Sequence, residues 1–317
     1  MEKYLNHALN AVASASYICK KIQSQLVSED SIIKKDKSPV TIADYASQAI
    51  ICRILNEAFP QIPVIGEEDA STLRQPENHY LLDKIKTFLD GWTDDQILNA
   101  VDLGNGQSDE LFWTLDPIDG TKGFLRGEQY AVALALIKNG EIVLGVLGCP
   151  NLFYDDENEG TLLYAVRDQG AVACTFSMDK SRNLKVSQKK TEEKVRFLES
   201  VEKGHANHDD QSAVINAFGD RKDSVRVDSQ VKYAVLASGD AEVYLRFPKP
   251  NMPEYREKIW DHAAGVIIVE EAGGLVTDIK GNSLNFGLGK RLENNRGIIA
   301  TNGQFHDLVL ENTNQNI

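Results

Sequence analysis

The stretch Phe112-Trp113-Thr114-Leu115-Asp116-Pro117-Ile118-Asp119-Gly120-Thr121-Lys122-Gly123-Phe124 decides how the rest of the chain is read. Residues 112–115 read as a buried strand that stops at a carboxylate and a proline, then turns through Asp-Gly-Thr into a helix. Two carboxylates three positions apart, with Pro117 stiffening the backbone between them, can converge on one divalent cation or bridge two. The amides of Gly120 and Thr121 would open the helix, where an anion is favoured. Cation ligands and an anion cradle so close together are what metal-assisted phosphate chemistry requires. Asp-Pro-x-Asp-Gly is also sound turn chemistry by itself, and the motif alone leaves both readings open.

The surrounding composition is globular, at 42% hydrophobic and 26% charged residues. A length of 317 residues suggests about two domains. The charged, aperiodic stretch 180–194 is the expected boundary, giving an α+β part over 1–184 and an α/β part over 185–317. The net charge of −13 argues against a nucleic-acid polymer or an anionic membrane as partner. It leaves room for a small anionic substrate, because bound cations reverse the sign locally. The first residues lack the basic start and apolar core of a signal peptide, and no apolar run reaches membrane length, so a cytoplasmic location is expected. Cys19, Cys52, Cys149 and Cys174 are scattered and read as reduced thiols.

Periodicity predicts helices over 4–27, 41–58, 94–101, 209–218, 229–237 and 260–272. It predicts strands over 62–66, 161–166, 195–200, 241–247 and 275–279. An Asn139-Gly140 turn joins strands 131–137 and 142–148 in a hairpin. Residues 71–110 are otherwise polar and irregular, and the segment around Lys34 and Lys37 reads as a mobile loop.

Further carboxylates have two readings each. Glu67-Glu68-Asp69 follows a strand end; spacing alone favours a solvated acidic loop, with shared metal ligation as the rival. Asp44 in Thr41-Ile42-Ala43-Asp44 matches a capping box, although a carboxylate at a helix start can also face a site. Asp261 would be a first-turn acid, but Ala263, Ala264 and Gly265 behind it are small enough to admit another backbone. Asp116, Asp119, Glu67 and Asp261 brought together would repel and partly protonate, whereas two or three Mg2+ ions would make the cluster favourable. His205-x-x-His208 lacks partners at zinc spacing, and a zinc site is rejected. From pattern alone Ser229 is a helix N-cap, Lys232 a solvated helix position and His208 a capping or surface residue.

Asp-Pro-Ile-Asp-Gly-Thr, Trp-Asp-x-Ala-Ala-Gly and Gly-Glu-Glu, three separated motifs in order, resemble the inositol monophosphatase superfamily of Mg2+-dependent, lithium-sensitive phosphatases. The tail Phe124-Leu125-Arg126-Gly127-Glu128-Gln129, with Asp228-Ser229-Gln230-Val231-Lys232-Tyr233 and Tyr244-Leu245-Arg246, is similar to its 3′(2′),5′-bisphosphate nucleotidase branch. The likeness runs from about Asp36 to Leu308. It implies a layered αβαβα sandwich and a monomer hydrolysing 3′-phosphoadenosine 5′-phosphate, and its 5′-phosphosulfate, by in-line attack of water. It also implies lithium and sodium inhibition and a role in sulfate assimilation. By position it implies metal ligation by Glu67, Asp116, the Ile118 carbonyl, Asp119 and Asp261, with Asp44 and Thr121 orienting and deprotonating the water. Gly120 and Thr121 would hold the scissile phosphate, and His208, Ser229, Lys232 and Arg246 the nucleotide and its second phosphate. An inositol phosphate phosphatase and a non-catalytic nucleotide sensor on the same fold are the alternatives.

Overall fold

The computed structural model describes residues 1–26, 38–157, 159–190, 193–201, 208–248, 252 and 254–316. The elements relevant to the site are, in chain order, α1 (Glu2–Leu26), α2 (Ser38–Ala58), β1 (Val64–Gly66), α3 (His79–Lys86), α4 (Asp94–Asp102), β2 (Leu111–Asp119), α5 (Thr121–Arg126), β3 (Ala131–Lys138) and β4 (Glu141–Phe153). They continue with β5 (Glu159–Val166), β6 (Ala171–Thr175), β7 (Ser181–Asn183), β8 (Val195–Glu199), α6 (His208–Asn216), β9 (Lys222–Arg226), α7 (Val231–Ala237), β10 (Val243–Arg246), α8 (Ala263–Glu271), β11 (Leu275–Thr277), β12 (Ile298–Thr301) and α9 (His306–Asn316).

Side-chain alternation builds the layers. Along β2 and β3, Trp113, Leu115, Val132 and Leu134 bury against Val12, Ala15 and Cys19 of α1 and Ala46 and Ala49 of α2. Their neighbours Phe112, Ala131, Ala133 and Ala135 point the other way, into a core with α7 and α8. Both faces of the seven-stranded sheet, in order β1 to β7, are therefore covered. The second sheet, β11-β12-β10-β8-β9, turns Leu198, Tyr244 and Ala300 to that same central core. Its other face, with Phe197, Val243, Leu245 and Phe247, packs on Val214 of α6 and Val309 of α9. The result is the layered αβαβα sandwich the resemblance implies.

Helix α8 is apolar all round, every residue from Ala263 to Val269 being buried, because it lies between two sheets. Ala264 approaches β4 so closely that a Cβ on Gly145 would stand 2.9 Å from its carbonyl oxygen. The small residues after Asp261 thus admit a backbone at Ala264, whereas Gly265 makes room for the Tyr233 ring instead.

Two expectations are corrected. The strand at the central motif continues through Pro117 to Asp119, with Asp116 opposite Ala133 and Asp119 opposite Ala131. Three steps on one strand against two on its partner make a bulge, where a residue without an N–H costs no ladder bond. Helix α2 starts at Ser38, not Thr41, since Pro39 is tolerated in a first turn. Asp44 therefore lies inside the helix and caps nothing. The hairpin turn is as read, with Asn139 and Gly140 both at positive φ, 52° and 82°. All four cysteines are buried and free.

Candidate active site

The bulge in β2 explains why two carboxylates three positions apart meet. In a regular strand they would point to opposite faces; one extra residue brings them to the same side. Asp116 is buried and its Oδ1 accepts the Ile118 amide at 3.1 Å. Ser47 of α2 donates to the Pro117 carbonyl at 3.0 Å and holds the bulge from behind. Asp119 Oδ2 accepts the Gln230 amide at 2.5 Å, tying the motif to the start of α7.

Glu67 stands at the end of β1, which pairs in parallel with β2 and carries it alongside Asp116. A buried clamp fixes this corner: Gln48 of α2 donates to the Val101 carbonyl at 2.9 Å and accepts the Glu68 amide at 3.1 Å. Asp261 enters from the turn before α8. There Gln230 donates to the Trp260 carbonyl at 2.8 Å and accepts the Gly265 amide at 3.0 Å.

Ten of the residues singled out in the sequence line one cavity of about 370 Å³: Glu67, Asp116, Ile118, Asp119, Gly120, Thr121, Ser229, Lys232, Arg246 and Asp261. That volume suits a small molecule. Glu67 is exposed, but it lines the cavity with Asp116 and Asp119 and so is no isolated loop acid. Asp44 is not among the lining residues, but its charge reaches Asp116, and it faces Glu68 and Glu67. His205 and the side chain of His208 lie outside the described residues, as does the loop from Lys34 to Lys37.

Electrostatics divides the cavity. Burial, then Glu67, Asp119, Asp261 and Asp44, hold the Asp116 carboxyl well above the usual range. Burial, then Asp119, Glu67 and Glu257, do the same to Asp261. Burial also raises Glu67, which shares a hydrogen bond with Asp116, a contact two bare carboxylates cannot make without a proton. Burial raises Asp44, reinforced by Glu68 and Glu67. The cluster is short of positive charge, and its donors are hard oxygens that suit a hard divalent cation. Glu67, Asp116, Asp119 and Asp261 fit such an ion on these grounds.

On the other side stand two cations. Lys232 is buried, not solvated, and burial lowers its ammonium to about 8. Its Nζ lies 5.3 Å from the Tyr244 ring centroid. Arg246 reaches the cavity from β10 beside Tyr244, as strand alternation predicts. Ser229 is not the N-cap, a place Gln230 takes; at φ 64° its hydroxyl accepts the Val231 amide at 3.2 Å in the turn before α7, and it faces the cavity.

The sequence reading missed Glu257, His262, Tyr233, Asp228 and Gln230. Glu257 pairs with Arg246, and Tyr233 Oη lies 2.8 Å from His262 Nδ1. Asp228 accepts from Arg126 at 2.6 Å. Arg256-Glu257-Lys258 reads as a solvated charge run, and no local pattern marks one of the three as buried.

The match to the inositol monophosphatase family extends over residues 1–317. The chain belongs to that family. A 3′(2′),5′-bisphosphate nucleotidase of Schizosaccharomyces pombe is 39% identical, with 96% of this chain and 93% of the relative covered. A nucleotidase of the same name from Dictyostelium discoideum is 38% identical over 100% of this chain and 98% of its own. Among solved structures, an inositol monophosphatase of Thermotoga maritima matches with a TM-score of 0.66 at 21% identity, covering 99% of this chain and 98% of that one. CysQ of Bacteroides thetaiotaomicron matches with a TM-score of 0.62 at 23% identity, covering 93% and 96%. These structures establish the family fold. Among the described residues, no helix is long and apolar enough to cross a membrane.

Proposed function

We propose that this chain is a Mg2+-dependent 3′(2′),5′-bisphosphate nucleotidase that releases the 3′-phosphate of 3′-phosphoadenosine 5′-phosphate, and of its 5′-phosphosulfate, leaving AMP or adenosine 5′-phosphosulfate. The observation that carries the reading is one cavity lined both by Glu67, Asp116, Asp119 and Asp261 and by the cations Lys232 and Arg246. A substrate with one phosphate to cleave and a second anion to anchor satisfies both sides. The nucleotidases named above, similar over nearly the whole chain, support the same choice.

Glu67, Asp116, the Ile118 carbonyl, Asp119 and Asp261 would hold the ions. Bound Mg2+ supplies charge neutralisation at the phosphate and acidifies water. The protein's own part is positioning. The Gly120 and Thr121 amides, at the opening of α5, orient the scissile phosphate. Asp44 and the Thr121 hydroxyl orient the attacking water, and Asp44 takes its proton as the carboxylate, the form that bound cations would favour against the burial and the Glu68 and Glu67 charges that raise its carboxyl. Lys232, Arg246, Ser229 and His208 bind the nucleotide and its second phosphate. On this reading lobes 1–184 and 185–317 would each carry one of the two sheets, and the site would draw on both. Lithium and sodium inhibition and service to sulfate metabolism belong to the same reading.

Phosphate release from 3′-phosphoadenosine 5′-phosphate, its 5′-phosphosulfate, inositol 1,4-bisphosphate and inositol 1-phosphate, each with and without Mg2+ and Li+, tests it. Turnover of the inositol compounds alone would overturn the nucleotide reading. Tight nucleotide binding without release would make the chain a sensor.

A further inference from the structure

Arg246 is held by one edge. Its Nε donates to Glu257 Oε1 at 3.1 Å and its Nη2 to Oε2 at 3.3 Å. Guanidinium carries five N–H donors in a fixed plane, so this edge-on pair leaves three for the cavity that Arg246 lines. Glu257 is itself fixed from behind. His262 Nε2 lies 3.5 Å from Oε2, and His262 Nδ1 lies 2.8 Å from the Tyr233 hydroxyl. With the imidazole proton on Nε2, facing the carboxylate, Nδ1 accepts from Tyr233, and the row Tyr233–His262–Glu257–Arg246 is satisfied throughout. Glu257 and His262 are almost wholly buried, and Tyr233 stacks edge-on against Tyr244 at 5.1 Å. The row therefore has little freedom to shift.

Glu257, Asp261 and His262 also have ligand atoms within 4.8 Å of one another, a spacing a metal could use. The guanidinium already occupies the Glu257 carboxylate on its cavity side, which assigns Glu257 to Arg246 rather than to an ion. Burial acts to raise Glu257, but His262 and Arg246 overrule it and hold the carboxyl at about 2, so the partner of Arg246 is charged at any working pH.

We propose that Glu257 is a positioning residue for substrate selection: by holding Arg246 edge-on it presents the guanidinium to the substrate's second anionic group, and so discriminates bisphosphate from monophosphate nucleotides. The inference rests on the nucleotidase reading and goes beyond it in naming what sets the selectivity.

The test compares Glu257→Gln, Glu257→Asp and the unmodified chain on 3′-phosphoadenosine 5′-phosphate and on adenosine 3′-phosphate, which carries the scissile group alone. Glu257→Gln keeps the shape and one acceptor oxygen but loses the charge. It is expected to raise KM for the bisphosphate about tenfold and for the monophosphate less than about threefold, the size of one lost charge-assisted contact. Glu257→Asp, which keeps the charge, should recover part of the difference. Equal changes on both substrates, as general loosening of the site would give, or no change on the bisphosphate, would overturn the proposal. Should the unmodified chain release phosphate from neither compound, the nucleotidase reading falls. Calorimetric binding of the same two nucleotides to the unmodified chain and Glu257→Gln then decides the role of Glu257: loss of discrimination in the variant upholds it, and unchanged or absent discrimination overturns it.

Discussion

Asp116 shows how a side chain's chemistry is set by its neighbours. Alone in water it is a carboxylate; here burial and four acidic neighbours favour its neutral form. Asp261, from the turn before α8, is in the same position. Asp261→Asn is expected to lower phosphate release at least about a hundredfold, because a carboxamide is a poorer ligand for a hard cation. Relief of acidic repulsion should leave its metal-free melting temperature equal to or above that of the unmodified chain. Undiminished activity would remove Asp261 from the metal site. Lys232 carries a pH dependence of opposite character. Burial lowers its ammonium to about 8, so the free protein holds a cation there below that pH and loses it above. A substrate anion needs the cation, so kcat/KM for the bisphosphate should fall as pH rises through about 8, and Lys232→Arg should shift that limb upward. A flat profile from pH 7 to 9 would contradict this.

At the scale of elements, close contacts position the chemistry. The bulge in β2 turns Asp116 and Asp119 to one side, and Gln48 and Gln230 cross-link the segments that carry Glu67 and Asp261. Helices α7 and α8 meet at Gly265, where a Cβ would stand 2.2 Å from the Tyr233 ring. Gly265→Ala therefore overpacks a buried interface and should cost about 1–3 kcal/mol in urea unfolding, despite the better helix propensity of alanine. The same change would push Tyr233 against His262, so KM for the bisphosphate should rise as well. Stability equal to the parent would mean that the two helices part easily.

Over the whole molecule, the acidic cluster sets how stability depends on pH and on cations. Asp44, Asp116, Asp261 and Glu67 have raised pKa values in the folded state, and Glu68 reaches about 7. The folded chain thus binds more protons than the unfolded one above the ordinary carboxylate range of roughly 4, and stability decreases as pH rises through the raised values. In a chelator, the melting temperature is expected to be higher near pH 5 than near pH 7.5. Divalent cation should reverse that order by binding the ionised cluster, and at a hundredfold excess over its Kd should add about 2.7 kcal/mol at neutral pH. A melting temperature indifferent to both chelator and pH would show that the carboxylates do not act together.

Much of this was legible in the chain itself. The Asn139-Gly140 hairpin, the long helix α1 with Leu9, Val12, Ala15, Cys19 and Ile22 buried, and the pairing of Tyr244 with Arg246 on one face of β10 all follow from local periodicity and turn chemistry. So did most of the cavity, because its residues cluster in motifs whose types are costly to bury without a cation or an anion. Some elements are weakly marked: β6 and β7, though paired with their sequence neighbours, are too short to show a clear period, and α3 and β12 owe their conformation to packing partners elsewhere in the chain. Solvated and functional readings of Glu67, Ser229 and Lys232 were indistinguishable locally for the same reason. Glu257 had no mark at all: whether a charged residue is solvated or buried against Arg246 depends on how a loop returns to the sheet, and only the packed molecule decides that.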